Sequence, residues 1–334
     1  MTDILLARYA ECIFWLARYV ERAENLTRLL AATDAFAHDR SGGSSWLPVV
    51  TLNADGTRFF ERYKAASADT VLRFYVTEAA NPSSIAAAIR NARENARTLR
   101  PLIANEMWVQ LNILHGRISG LSDNDLSPEN RGHLFDEIRL ACQTHTGIAE
   151  GTFYRDQSWY FYRLGRYIER ADQCTRLLDV KYHLLLPKTA NVGSPVDVAQ
   201  WNALLRQAAA YHAYLRLHPA VTPEGVAEFL LLNPIFPRSL HFCVGEVESL
   251  LTHLKSRFLL RGGVEAAEML DEMRATLRST PISRILVAGL HEFLDLTQQQ
   301  LVAVTDSLGT AFFGHAPVVA QVQAADGQGQ GQSA

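Results

Sequence analysis

This 334-residue chain is poor in the features that most often announce a function. No run of 18 or more apolar residues occurs, so no membrane span is expected. Residues 1–30 carry charges throughout and lack the apolar stretch of a signal peptide. The four cysteines, Cys12, Cys142, Cys174 and Cys243, are scattered without a CxxC pair. That excludes a zinc-ribbon framework and a disulfide scaffold, and it suits a reducing cytoplasm. Net charge is −3 with both signs well mixed, so no electrostatic footprint for nucleic acid is visible.

Catalytic signatures are missing too. A GxxxxGK phosphate loop, an ExxH di-iron pair and HExxH are all absent, so neither a metal nor a cofactor is expected. Histidines such as His115, His133, His145, His183, His212, His241 and His253 are dispersed and read as core-edge or surface residues. Strand-like alternation is nearly absent.

What is present is a repeat. Leu16-Ala-Arg-Tyr-Val-Glu-Arg-Ala-Glu-Asn-Leu-Thr-Arg-Leu-Leu30 recurs as Leu164-Gly-Arg-Tyr-Ile-Glu-Arg-Ala-Asp-Gln-Cys-Thr-Arg-Leu-Leu178, ten of fifteen positions being identical at an offset of 148. Farther along the offset becomes 155, matching Trp46 with Trp201, Phe74 with Phe229 and Pro82-Ser-Ser-Ile85 with Pro237-Arg-Ser-Leu240. Such self-similarity sets the folding unit. The expectation is two duplicated helical units, 1–150 and 151–313, packed as one body with a pseudo-twofold relation, then a disordered Gly/Gln-rich tail over 314–334.

Apolar spacing near 3.6 residues predicts an all-α helical bundle. Helices are expected at Asp3–Ala37, Trp46–Asn53, Thr57–Ala66, Asp69–Ala79, Pro82 to Arg97 or Arg100, Pro101–Ile118, Pro128–Gly151 and Ser158–Leu186. The second half continues with Val196–Leu217, Pro223–Leu232, Arg238–Leu260, Val264–Arg278 and Ile285–Phe312, with Thr222 and Ser239 as candidate caps.

On a helical wheel the repeat separates an apolar face (Leu16, Tyr19, Val20, Ala23, Leu26, Leu30) from a polar one. The polar face holds Arg18, Glu21, Arg22, Glu24, Asn25 and Arg28, and in the second copy Arg166, Glu169, Arg170, Asp172, Gln173 and Arg176. Arginine's planar fork suits bidentate pairing with carboxylate or phosphate in a way lysine does not. Two readings follow: an ion-pair lattice between the copies, Glu21 to Arg170 and Glu169 to Arg22, or a cleft that binds a carboxylate or phosphate anion. A merely solvated face is the third. Arg93, Glu94, Asn95, Arg97, Arg100, Glu106 and Trp108, with Asn112, make a second polar cluster. Its counterpart near Gly245–Leu250 has no arginines.

These residues bear a resemblance. Trp15 to Asn25, Asn81-Pro-Ser-Ser-Ile85, Ala92-Arg-Glu-Asn-Ala-Arg97 with Glu106-Met-Trp108, and Gly165-Arg-Tyr-Ile-Glu-Arg-Ala-Asp172 together resemble the bacterial alpha-E domain family over residues 3–313. The opening Asp3-Ile-Leu-Leu6 departs from the family's more usual Leu-Ser start. The resemblance implies an all-helical protein whose genes often neighbour those of ATP-grasp ligases and transglutaminase-like proteins. The implied role is synthesis or modification of a peptide or related amide-linked product.

Three functions are therefore carried forward. The first is a non-catalytic partner subunit of an ATP-grasp-type ligase. The second is an enzyme of amide chemistry, with Glu21 or Glu169 as general base and Arg18, Arg22 or Arg93 holding a carboxylate. The third is an interaction scaffold.

Overall fold

The structure, a computed structural model, describes residues 5–38, 46–185 and 195–316. The chain is all-α, with no strand among the described residues. Its first half runs α1 (Ala7–His38), α2 (Leu47–Leu52), α3 (Gly56–Phe60), α4 (Ala68–Leu72), α5 (Ile85–Thr98), α6 (Asn105–Ser119) and α7 (Arg131–Thr152). The second half begins with α8 (Gln157–Leu185), α9 (Pro195–Gln207), α10 (Tyr211–Leu215) and α11 (Pro223–Leu232). It ends with α12 (Leu240–Arg257), α13 (Val264–Ser279), α14 (Ile282–Ala288) and α15 (Leu290–Leu308). Helices α4 and α15 continue into π-helical turns at Arg73–Thr77 and Gly309–Phe313. The breaker at His38–Gly43, beyond His38 itself, and the tail after Ala316 lie outside the described residues.

The two longest helices, α1 and α8, lie against each other at the centre. Helix α1 packs on α5 and α7, and α6 bridges that pair; α8 packs on α12 and α15, and α13 bridges those. The order of neighbours around each central helix is the same. Leu16, Val20, Ala23 and Leu30 are buried, as are Leu164, Ile168, Ala171 and Leu178.

Being central changes what the polar residues face. Glu21, Glu24, Arg28 and Glu169 are buried as fully as the leucines, and Arg170 is buried nearly so. The polar side of the motif is therefore mostly buried, with Arg22, Asn25 and Arg176 partly exposed. The buried part of such a helix has to satisfy its polar atoms internally, because a buried charge without a partner is costly. Gly165 brings the helix backbones together: a Cβ there would lie 3.0 Å from the carbonyl carbon of Phe14.

Several helix ends differ from the sequence expectation, each for a local reason. Pro82 does not open α5. Ser84 caps it instead, accepting from the Ala87 amide at 3.0 Å while its hydroxyl donates to the Glu78 carbonyl at 2.7 Å. Ser239 caps α12 in the same way, accepting from Phe242 and donating to the Asn233 carbonyl. Thr222 caps α11. After Pro101 a turn intervenes, and α6 starts only at Asn105. The continuous helices expected at Val196–Leu217 and Ile285–Phe312 are interrupted where Ala209 (φ 54°) and Gly289 (φ 117°) leave helical geometry. The segment expected at Thr57–Ala66 is helical only over Gly56–Phe60.

Candidate functional site

Across the α1–α8 contact the arginines and glutamates meet reciprocally. Arg170 donates from Nε and Nη2 to the two oxygens of Glu21 at 2.7 and 2.8 Å. Arg22 donates from Nε and Nη2 to the two oxygens of Glu169 at 2.6 and 2.9 Å. Both are planar bidentate pairs, the strongest class of charge-assisted hydrogen bond. One turn further along, Arg28 grips Glu24 at 2.8 Å and reaches the Gln207 carbonyl at 2.5 Å. Arg176 likewise grips Asp172 at 2.8 Å and reaches the Leu52 carbonyl. Asn25 donates to Glu21 at 2.8 Å, and Gln173 to Glu169 at 3.3 Å.

The third arginine on each side breaks the correspondence. Arg18 adds to Glu169 at 2.8 Å, donates to Thr305 at 3.0 Å and stacks over Trp15. Its repeat equivalent Arg166 turns away, to Glu150 at 2.9 Å and over the Tyr167 ring. Glu21 instead receives Arg238, from the segment before α12. Arg238 reaches Glu21 at 3.5 Å, Asn25 at 3.1 Å and also Glu24. Sequence reasoning missed Arg238, although the alignment of Pro237-Arg-Ser-Leu240 with Pro82-Ser-Ser-Ile85 set it opposite Ser83. Beside Ser83 lies a cavity of about 130 Å³, also lined by Arg22, Asn53, Asp172, Gln173 and Arg176.

Burial alone would raise the carboxyls of Glu21 and Glu169. The guanidinium groups beside them outweigh it, Arg170 and Arg238 for Glu21 and Arg22 and Arg18 for Glu169, and push each pKa down to about 2. Both groups are thus fixed anions across the physiological range, and all four of their oxygens accept hydrogen bonds. A general base needs a pKa near the working pH and a free lone pair facing substrate.

The second cluster is a surface arrangement on α5 and α6. Arg93 donates to Asn112 at 2.7 Å and pairs with Glu94 at 3.2 Å, and Arg97 also pairs with Glu94. Arg93 and Arg100 both lie over the Trp108 ring. Asn95 is half-buried with no side-chain hydrogen bond among the described residues, and Glu106 is exposed in the first turn of α6. Among the described residues no hydrogen bond or ion pair joins this group to the lattice. Elsewhere, Asp179, His291 and Asp295 converge within 4.8 Å, with His291 Nδ1 hydrogen-bonded to Asp179 at 3.0 Å. The scattered spacing of these three residues gave no sequence signal.

Comparison with known proteins places these observations. The family model Alpha-E, described as a predicted alpha-helical domain with a conserved ER motif, matches residues 5–313. Glu-Arg stands at 21–22 and 169–170, inside the lattice, and also at 61–62, where both side chains are exposed. Uncharacterised proteins of Mycobacterium bovis and of two strains of Mycobacterium tuberculosis are 24% identical over 293 residues, covering 80% of this chain and 31% of theirs. The chain thus spans about a third of the length of those relatives. No solved structure matches. No helix among the described residues is long and apolar enough to cross a membrane. With a match over nearly its whole described length, the chain belongs to the Alpha-E family.

Proposed function

We propose that this chain is a non-catalytic helical partner, an accessory subunit of an ATP-grasp-type ligase system acting on peptides or amide-linked products. The carrying observation is the state of Glu21 and Glu169. Each is buried, locked by arginine through both oxygens and held anionic, so the most prominent carboxylates of the motif serve the fold rather than proton transfer. The mycobacterial relatives support the reading from another side: there the matching region is 31% of a longer chain, as befits a unit that works beside other parts. The ligase as partner rests on the family resemblance.

The test is co-expression of the tagged chain with an ATP-grasp-type ligase of the same genome, followed by gel filtration and a turnover assay. The expected result is co-elution and a change in ligase turnover when the chain is withheld. Separate elution with unchanged turnover overturns the proposal.

A further inference from the structure

The cavity beside Ser83 can be read against its counterpart across the lattice. On one side Glu21, Glu24, Asn25, Arg28 and Arg170 are closed over by Arg238. On the other, the repeat-equivalent residues Glu169, Asp172, Gln173, Arg176 and Arg22 face Ser83, whose side chain ends in a hydroxyl and leaves about 130 Å³ open. Solvent reaches in, since the Arg22 side chain is 25% exposed.

Charge narrows what fits. Arg22 and Arg176 in the lining balance Glu169 and Asp172, and Arg18, bonded to Glu169 from outside the lining, leaves one positive charge in excess, as Arg28, Arg170 and Arg238 against Glu21 and Glu24 do on the closed side. A guanidinium in the place that Arg238 takes on the other side would double that excess. One carboxylate cancels it. The unused hydrogen-bonding groups agree. Arg22 spends Nε and Nη2 on Glu169, while its Nη1 and the Ser83 hydroxyl make no hydrogen bond among the described residues. Both are donors, suited to a carboxylate oxygen. The side-chain carbonyls of Asn53 and Gln173 accept no hydrogen bond among the described residues, and these can take an amide N–H.

We infer that the cavity beside Ser83 binds a small carboxylate flanked by an amide, such as the C-terminal group of a peptide or an N-acylated amino acid. The inference does not depend on a ligase partner, because the site is complete within this chain.

Calorimetry and thermal unfolding of the full chain test it with three probes: N-acetylglycine, its neutral amide N-acetylglycinamide, and inorganic phosphate. N-acetylglycine should bind saturably, at least about tenfold tighter than the amide, since a charge-assisted bond is lost in the latter. Phosphate should bind no tighter. Ser83→Glu supplies a tethered carboxylate, so it should abolish N-acetylglycine binding and raise the Tm. Ser83→Arg should lower the Tm while circular dichroism shows the helices retained. Equal binding of the neutral amide, tighter binding of phosphate, no binding of N-acetylglycine, or a Tm raised by Ser83→Arg and lowered by Ser83→Glu would each overturn the inference.

Discussion

Gly165 of α8 stands so close to Phe14 of α1 that a Cβ on it would lie 3.0 Å from the Phe14 carbonyl carbon and 3.2 Å from its Cα. The atoms in the way are backbone, which no rotamer change can move. This contact sets how deeply the two central helices sink into one another, and with it the reach of the ion pairs between them.

Gly165→Ala should therefore destabilise the protein by about 1–3 kcal/mol, as overpacking of a filled interior does. Gly147→Ala is the control. That glycine lies within α7 with open space around it, and the change should stabilise by about 0.5–1 kcal/mol through helix propensity. Urea unfolding of the two variants gives the comparison; similar effects of the same sign would refute the close-approach argument.

Glu21→Gln keeps the shape of the side chain and removes its charge, leaving Arg170 buried without its anion and Arg238 with Glu24 alone. A loss of about 3–5 kcal/mol is expected. Arg170→Met added to Glu21→Gln should recover much of it, because the uncompensated charge goes too. A double-mutant cycle in urea reads the coupling. Near-additive effects would mean that the pair is not a unit.

Acid should unpick the lattice in a defined window. The carboxyls of Glu21 and Glu169 sit near 2 in the folded chain against an ordinary value of 4.5. A folded pKa below the unfolded one gives stability that is fully present above pH 4.5 and is lost as pH falls from there toward 2. The Glu21→Gln variant should show a shallower decline over that window. Circular dichroism against pH, with wild type and variant in parallel, measures it; identical slopes would exclude Glu21 as a source.

Thiol chemistry reports the integrity of the core. Burial raises the pKa of Cys142 and Cys243 and pushes Cys174 up to about 12, so these three stay protonated and covered. Cys12 is partly exposed, its pKa also raised by burial and by Glu11. Ellman's reagent should titrate at most one thiol in the native protein and all four in denaturant. Fast reaction of two or more native thiols would show that the helices around α8 open readily.

Much of the fold is legible in the sequence because helix periodicity is a local property. The bundle, the two long motif helices and the caps Thr222 and Ser239 all rest on patterns spanning a few residues. Helix starts were less legible where two local signals compete. Pro82 permits a first turn, but the Ser84 hydroxyl can satisfy both the Ala87 amide and the Glu78 carbonyl, so the cap lies two residues later. Gly289 looks like any helix-interior glycine until its φ of 117° is known. At the site, the repeat draws attention to Arg18, Glu21, Arg22, Glu169 and Arg170, which the structure gathers into one lattice. It treats Arg18 and Arg166 as equivalents, yet they take different partners. That choice depends on Glu150, Thr305 and Arg238, which are remote from the motif or outside its face.

The reciprocal pattern, Glu21 with Arg170 and Glu169 with Arg22, has the form of a twofold contact between subunits, yet both sides belong to one polypeptide. Tethering makes the association intramolecular, at an effective concentration fixed by the connecting chain rather than by the amount of protein. Dilution therefore cannot part α1 from α8, whereas the same surface shared between two chains would come apart at low copy number.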